Sequence, residues 1–146
     1  MRRLTGSGEL TVGIHEAKGS ETKEVREGEE ASDMTLSDVA IIHEFGAPSA
    51  GIPERSFIRA WADESKARHD EEMAKMAKLV IAGKMDLETA LARLGLRRQA
   101  EVQKRIADGI PPPNSPKTIE AKGSSKPLVD TGQLRSAISH EIKVTK

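Results

Sequence analysis

The chain has 146 residues, of which 36% are hydrophobic and 32% charged, and its 23 basic side chains balance 23 acidic ones to a net charge of zero. That length suits a single domain, residues 1–146, around one modest core, and the zero balance argues against a general DNA-coating protein, which would be basic. With no cysteine, disulfides and thiolate metal sites are excluded, and with only Phe45, Phe57 and Trp61 as aromatics the core must be aliphatic.

Residues 9–15 alternate polar and apolar, which predicts a half-buried strand with Leu10, Val12 and Ile14 on one face. Residues 16–35 are charged and turn-rich, with an acidic end at Glu27, Glu29, Glu30 and Asp33. They read as a mobile excursion, with room for a short β-ribbon near residues 21–26. Thr35 or Ser37 caps a short helix through Phe45, with Val39, Ile42 and either Ile41 or Phe45 toward the core, and Gly46 ends it. After a loop, Pro53 opens a long helix as its first-turn proline, with Glu54 near the positive end of the dipole. This helix is expected to reach Ala82, with Gly83 as a left-handed stop. Phe57, Ile58 and Trp61 cluster at its start and Met73, Met76, Val80 and Ile81 at its end. Between them, residues 62–72 are charged, so the middle is solvated or faces a polar partner.

Asp86 caps a second helix to about Asp108, with Gly109 as its stop and Leu87, Leu91, Leu94, Val102 and Ile106 along one stripe. The short linker predicts an antiparallel helical hairpin. Pro111-Pro112-Pro113 then holds the chain extended, and Ser115-Pro116 opens a short helix that Gly123-Ser124-Ser125 ends. Lys126-Pro127-Leu128-Val129 is extended. Asp130 or Thr131 caps a last helical turn that carries Leu134 and Ile138 inward, with Gly132 where space is short. From Ile138 to Val144 the alternation returns, with Ile138, His140, Ile142 and Val144 on one face. The fold class is α+β: a small antiparallel sheet made from the chain ends, packed with a long central helical hairpin.

Chemistry-bearing patterns are sparse. His43-Glu44 lacks the second histidine that a zinc helix needs, since position 47 is Ala. Asp130-Thr131-Gly132 occurs once, whereas aspartic-protease chemistry needs two carboxylates from two such loops. The segment from Lys122 to Lys126 lacks P-loop spacing. Arg97, Arg98, Lys104 and Arg105 make one side of the second helix basic, diluted by Glu101 and Asp108. No apolar run approaches the roughly 18 residues that span a bilayer, and the first six residues lack the apolar core of a secretory signal. The expectation is therefore no enzyme, no cofactor, no metal and no membrane.

Two blocks carry a resemblance. The first is Val39-Ala40-Ile41-Ile42-His43-Glu44-Phe45-Gly46, followed by Ile52-Pro53-Glu54-Arg55-Ser56-Phe57-Ile58-Arg59. The second runs from Ser115-Pro116 through Lys126-Pro127-Leu128-Val129-Asp130-Thr131-Gly132-Gln133-Leu134 to Ile138. Together they resemble the neck and tail-completion proteins of tailed phages, with Ala137 where many members have serine. The residues carrying the match are His43, Glu44, Phe45, Gly46, Pro53, Arg55, Phe57, Pro127, Leu128, Asp130, Thr131, Gly132 and Leu134. The long acidic insert at residues 16–35 departs from the family pattern.

The resemblance implies a structural virion protein that completes the head-proximal end of the tail and takes part in head–tail joining. It implies a homo-oligomeric ring, a hexamer matching tail symmetry, around a DNA channel. The implied partners are other copies of itself, the tail tube, the head connector or stopper, and genomic DNA passing without sequence-specific contacts. The implied location is the virion neck, with assembly in the host cytoplasm. The alternative from the residues alone is a small non-catalytic binding or regulatory module.

Overall fold

The computed structural model describes residues 6–24, 33–117, 120 and 132–145. Two strands, β1 (Ser7–Ile14) and β2 (Ile138–Thr145), pair antiparallel, with Leu10 opposite Ile142, Val12 opposite His140 and Ile14 opposite Ile138. The chain ends thus form one two-stranded sheet. The helices between them are α1 (Glu16–Gly19), α2 (Leu36–Phe45), α3 (Arg59–Ile81), α4 (Leu87–Asp108) and α5 (Gln133–Ala137), with a 3-10 turn at Pro48–Ala50.

The α4 helix is the spine. Asp86 caps it by accepting from the Thr89 amide at 2.7 Å, and Gly109 ends it. Leu91, Leu94, Val102 and Ile106 are buried as the stripe predicts. The helix lies along the sheet and crosses it closely at Gly95, where a Cβ would come within 2.3 Å of the His140 ring. His140 faces inward, as expected, and its Nδ1 lies 2.7 Å from Gln99 Oε1. At the far end Gln103 donates to the Ile138 carbonyl at 3.1 Å. The main core gathers here from Phe57, Val102, Ile106, Ile110, Leu134 and Ile138, with Val12, Ile14, Ala40, Ile58 and Trp61 around it.

The α3 helix folds back antiparallel on α4, and a Schellman pattern ends it: Gly83 donates to the Val80 carbonyl and Lys84 to that of Leu79. None of its residues is fully buried.

Several expectations change. The long helix starts at Arg59, not at Pro53, because residues 53–56 are held outside the helix by the contacts described below. In α2 the inward positions are Leu36 and Glu44, while Ile41 and Phe45 are 57% and 58% exposed. Thr35, rather than Ser37, caps α2, in a reciprocal capping box with Asp38. The base of the 16–35 excursion is structured: α1 follows β1 directly, and Thr22 bridges to Thr35. Gln133 fastens that base to α5, accepting from the Glu24 amide at 2.8 Å and donating to the Thr22 carbonyl at 3.1 Å.

The N-cap of α5 is Gly132, with no side-chain cap bond. Among the described residues no atom lies within 4 Å of a Cβ placed there, and its requirement is the left-handed φ of 76°. Asp130 and Thr131, offered as that cap, and Pro127 and Leu128 lie outside the described residues, as does the stop at residues 123–125. Pro116 and Lys117 are helical, as the Ser115-Pro116 start implies.

Ile106 is 0% exposed and Leu96 is 61% exposed on the same helix. Ile106→Ala is expected to cost about 2–5 kcal/mol and Leu96→Ala no more than about 0.5 kcal/mol, read from urea unfolding of both variants.

Candidate functional site

The residues of the first resembling block meet at the junction between α2 and α3. Glu44, on the last turn of α2, is 9% exposed. Its carboxylate is aimed at the start of α3 and accepts four hydrogen bonds. Oε1 takes the Ser56 hydroxyl at 2.6 Å and the Arg59 amide at 2.9 Å. Oε2 takes the Phe57 amide at 2.9 Å and the Ile58 amide at 3.1 Å. Three successive amides at a helix start have no partner within that helix, and they lie at the positive end of its dipole. A carboxylate from another helix thus fills the place that a local cap would take. Ser56 extends the set by accepting from the Ala60 amide at 2.9 Å while donating to Glu44.

Burial of Glu44 acts to raise its pKa, but the bonds from Ser56, Ile58, Arg59 and Phe57 together outweigh burial. The carboxyl is held below its ordinary value.

The chain between the two helices is shaped to allow this. Gly46 ends α2 at φ 73°, and a Cβ there would come within 2.8 Å of the Glu54 nitrogen and 2.9 Å of the Ile52 carbonyl oxygen. Both the backbone angle and the space exclude a side chain. Ala47 and Ile52 bridge the loop, and the Arg55 amide donates to the His43 carbonyl at 2.7 Å. Pro53 follows that bridge outside any helix or strand, where a missing N–H costs no ladder or helix bond.

Arg55 is 6% exposed. Its Nε donates to the Pro112 carbonyl at 2.8 Å and one terminal nitrogen to that of Pro113 at 3.3 Å. It therefore clamps the proline segment after α4 onto the α2–α3 junction. Phe57, 1% exposed, and Leu134, 6% exposed, belong to one buried cluster. Phe45 points outward, with the Arg59 guanidinium 4.9 Å above its ring. Arg59 also pairs with Glu54.

The second polar system lies between α3 and α4, and the sequence reading missed it. Arg98 is 5% exposed and sits in the eight-residue gap of the α4 stripe between Leu94 and Val102. It pairs with Glu72, which also takes Arg97 at 3.0 Å. Glu101 accepts from Trp61 Nε1 at 3.0 Å and from Arg68, and lies 3.0 Å from His69 Nε2. Burial acts to raise the Glu101 pKa, but the bonds from Arg68, His69 and Trp61 bring it down to about 2. Arg105 pairs with Glu64 at 2.7 Å.

The polar partner of residues 62–72 is thus α4 of the same chain. The basic side of α4 is largely spent on Glu64, Glu72 and Glu101, which leaves little of it for a nucleic acid. A cleft of about 490 Å³ opens beside this network, lined by Trp61, Glu64, Arg68, Glu101, Arg105 and Pro111 among others. Its carboxylates and guanidinium groups are committed to one another. Among the described residues no His, Asp and Glu side chains form a group able to hold a metal ion.

No family model, curated protein or solved structure matches the chain. The geometry of Glu44, Ser56 and Arg55 describes a buried junction that fixes backbone.

Glu44→Gln keeps the shape but turns an NH2 group toward backbone donors. It is expected to cost about 3 kcal/mol, whereas Glu54→Gln at the exposed Arg59 pair is expected to cost at most about 1 kcal/mol. Chemical denaturation of the two variants at neutral pH checks this, and equal losses would contradict the capping role.

Proposed function

We propose that this chain is a structural virion protein of a tailed phage, which completes the head-proximal end of the tail and takes part in joining it to the filled head. In this reading it works as a homo-oligomeric ring, a hexamer, around the DNA channel. It contacts the tail tube on one side and the head connector or stopper on the other, and lets the genome pass without reading its sequence.

One observation carries the reading. Residues that bear the resemblance, far apart in sequence, include those that fix the frame: Glu44, Gly46, Arg55, Phe57 and Leu134. A motif retained for a reaction would gather reactive groups, whereas this one gathers a cap, a backbone turn, a clamp and two core side chains. That pattern suits a part whose work is to hold a shape under mechanical load. The near-neutral surface agrees with a channel that must let DNA slide.

The test is genetic. When the gene is inactivated in the phage that carries it, electron microscopy of the lysate is expected to show filled heads and complete-length tails unjoined. Supplying the chain from a plasmid should restore infectious particles. A normal yield of joined particles without the chain would overturn the reading.

A further inference from the structure

Among the described residues the sheet has no third strand, and a lone two-stranded sheet is only marginally stable. Its strands run in one register from Ser7 opposite Thr145 to Ile14 opposite Ile138. Neither a bulge nor a proline, the usual means of blunting an edge, interrupts them. The edge of β2 turned away from β1 carries unused main-chain groups. The Ile138 N–H donates to the Arg135 carbonyl, and the Ile138 carbonyl accepts from Gln103 at 3.1 Å, so both point away from β1. Antiparallel pairing alternates, which turns the N–H and C=O of His140, Ile142 and Val144 to that same edge. No hydrogen bond from a described residue outside the sheet reaches them.

Beside that edge α4 shows apolar surface. Gln99 and Gln103 touch β2, at the His140 ring and at the Ile138 carbonyl. Leu96 precedes them by three and seven residues, which puts it on the same flank of the helix and level with Ile142. It is 61% exposed. Ala92, Leu96, Ala100 and Gln103 make this flank an uncharged stripe, while Arg98, Glu101 and Arg105 turn toward α3.

We propose that this edge of β2 is a self-association site, at which two copies pair their β2 strands antiparallel about a two-fold axis at Ile142. His140 then pairs with Val144 of the second copy and Ile142 with its own counterpart, each pair exchanging the unused N–H and C=O groups. On the solvent face Glu141 stands opposite Lys143 of the second copy, and Lys143 opposite Glu141 of the second copy. Both are available. Lys143 has Glu9 across from it on β1 but makes no ion pair with a described residue, and Glu141 has only a 3.9 Å approach from His15. Moving the axis to His140 or Val144 loses both charge pairs, and a parallel in-register pairing sets Glu141 beside Glu141. This complementarity selects a second copy over an unrelated strand.

The helices agree with the same axis. Because α4 lies against both strands of its own sheet, the two α4 helices would lie two strand spacings apart, about 9.6 Å. That falls within the roughly 8–10 Å at which helices pack, and Leu96 of each copy is covered there. The contact is isologous and closes at two copies. A ring of six repeats a head-to-tail contact instead, so this pairing belongs to the free protein and does not rest on the ring reading.

Sedimentation of the full chain over a dilution series tests this, with circular dichroism checking that each variant is folded. The wild type is expected to show a monomer–dimer equilibrium. Leu96→Asp should weaken dimerisation about tenfold or more, while Ile81→Asp, also at an exposed position but on α3, should leave it unchanged. Glu141→Lys and Lys143→Glu should each weaken it about tenfold, and the double reversal should restore it. The chain has no cysteine, so an oxidised mixture of the Glu141→Cys and Lys143→Cys proteins should form a mixed disulfide dimer faster than either protein alone. A facing pair of that kind brings the two Cα atoms to about 4.5 Å, within disulfide reach. A monomer at every concentration overturns the proposal. So does a dimer indifferent to Leu96→Asp and to the reversals, as one formed through β1 or another face would be, and so does cross-linking no faster in the mixture.

Discussion

One buried carboxylate sets the relation between the first half of the molecule and the helical hairpin. Glu44 leaves the end of α2 and takes the hydroxyl of Ser56 and the amides of Phe57, Ile58 and Arg59. Burying a carboxylate is costly unless its oxygens are filled, and here both are. The same bonds satisfy donors that would otherwise be orphaned at the head of a long helix. Removing either side would leave buried polar groups unpaired, so these hydrogen bonds help to fix the angle between α2 and α3. Phe57, next in the chain, is thereby aimed into the core beside Leu134 and Ile138.

This arrangement compensates for a lean core. With three aromatic residues in the chain, the buried apolar side chains among the described residues are few: those of α4, Leu36 of α2, Leu134 and Ala137 of α5, and Phe57, Ile110 and Ile138. Elsewhere polar contacts do the holding: Arg55 on the proline carbonyls, Gln133 on the base of the excursion, and the carboxylates of α3 against the guanidinium groups of α4. A buried ion pair such as Glu72 with Arg98 contributes little net stability over an apolar pair of similar size. It does disfavour slipped registers of the hairpin, because a shift of one turn would strand both charges. Such a frame is specific in geometry without being large, which suits a part built into an assembly.

Much of this was legible in the sequence and some was not, for identifiable reasons. The α4 boundaries, the strand faces and the antiparallel pairing of the ends follow from local signals: Asp86 and Gly109 as caps, and alternation over residues 9–15 and 138–144. The start of α3 was misread because Pro53-Glu54 is a good local helix opening. What overrides it is a carboxylate nine residues earlier in the chain, and no local pattern reports a tertiary cap. Hydrophobicity alone points either Ile41 or Phe45 inward, yet both are exposed and the inward position one turn from Ala40 belongs to Glu44. The ion network hid in a gap: the missing apolar residue between Leu94 and Val102 is Arg98, and its counterpart on α3 is a stretch that looks solvated when read alone. The site block was found through resemblance, whereas the reason for each of its residues came only from the folded geometry.

The most direct test of this account is an NMR titration that follows the Glu44 side-chain carboxyl together with the amide protons of Phe57, Ile58 and Arg59. The folded carboxyl is held below its ordinary value of 4.5. Its stabilisation is therefore fully present above that pH and is lost as pH falls through the folded midpoint. The expected result is a midpoint below 4.5, with the three amides shifting at that same midpoint as their acceptor is protonated. A carboxyl that titrates at or above the ordinary value, with the three amides unmoved, would contradict the account.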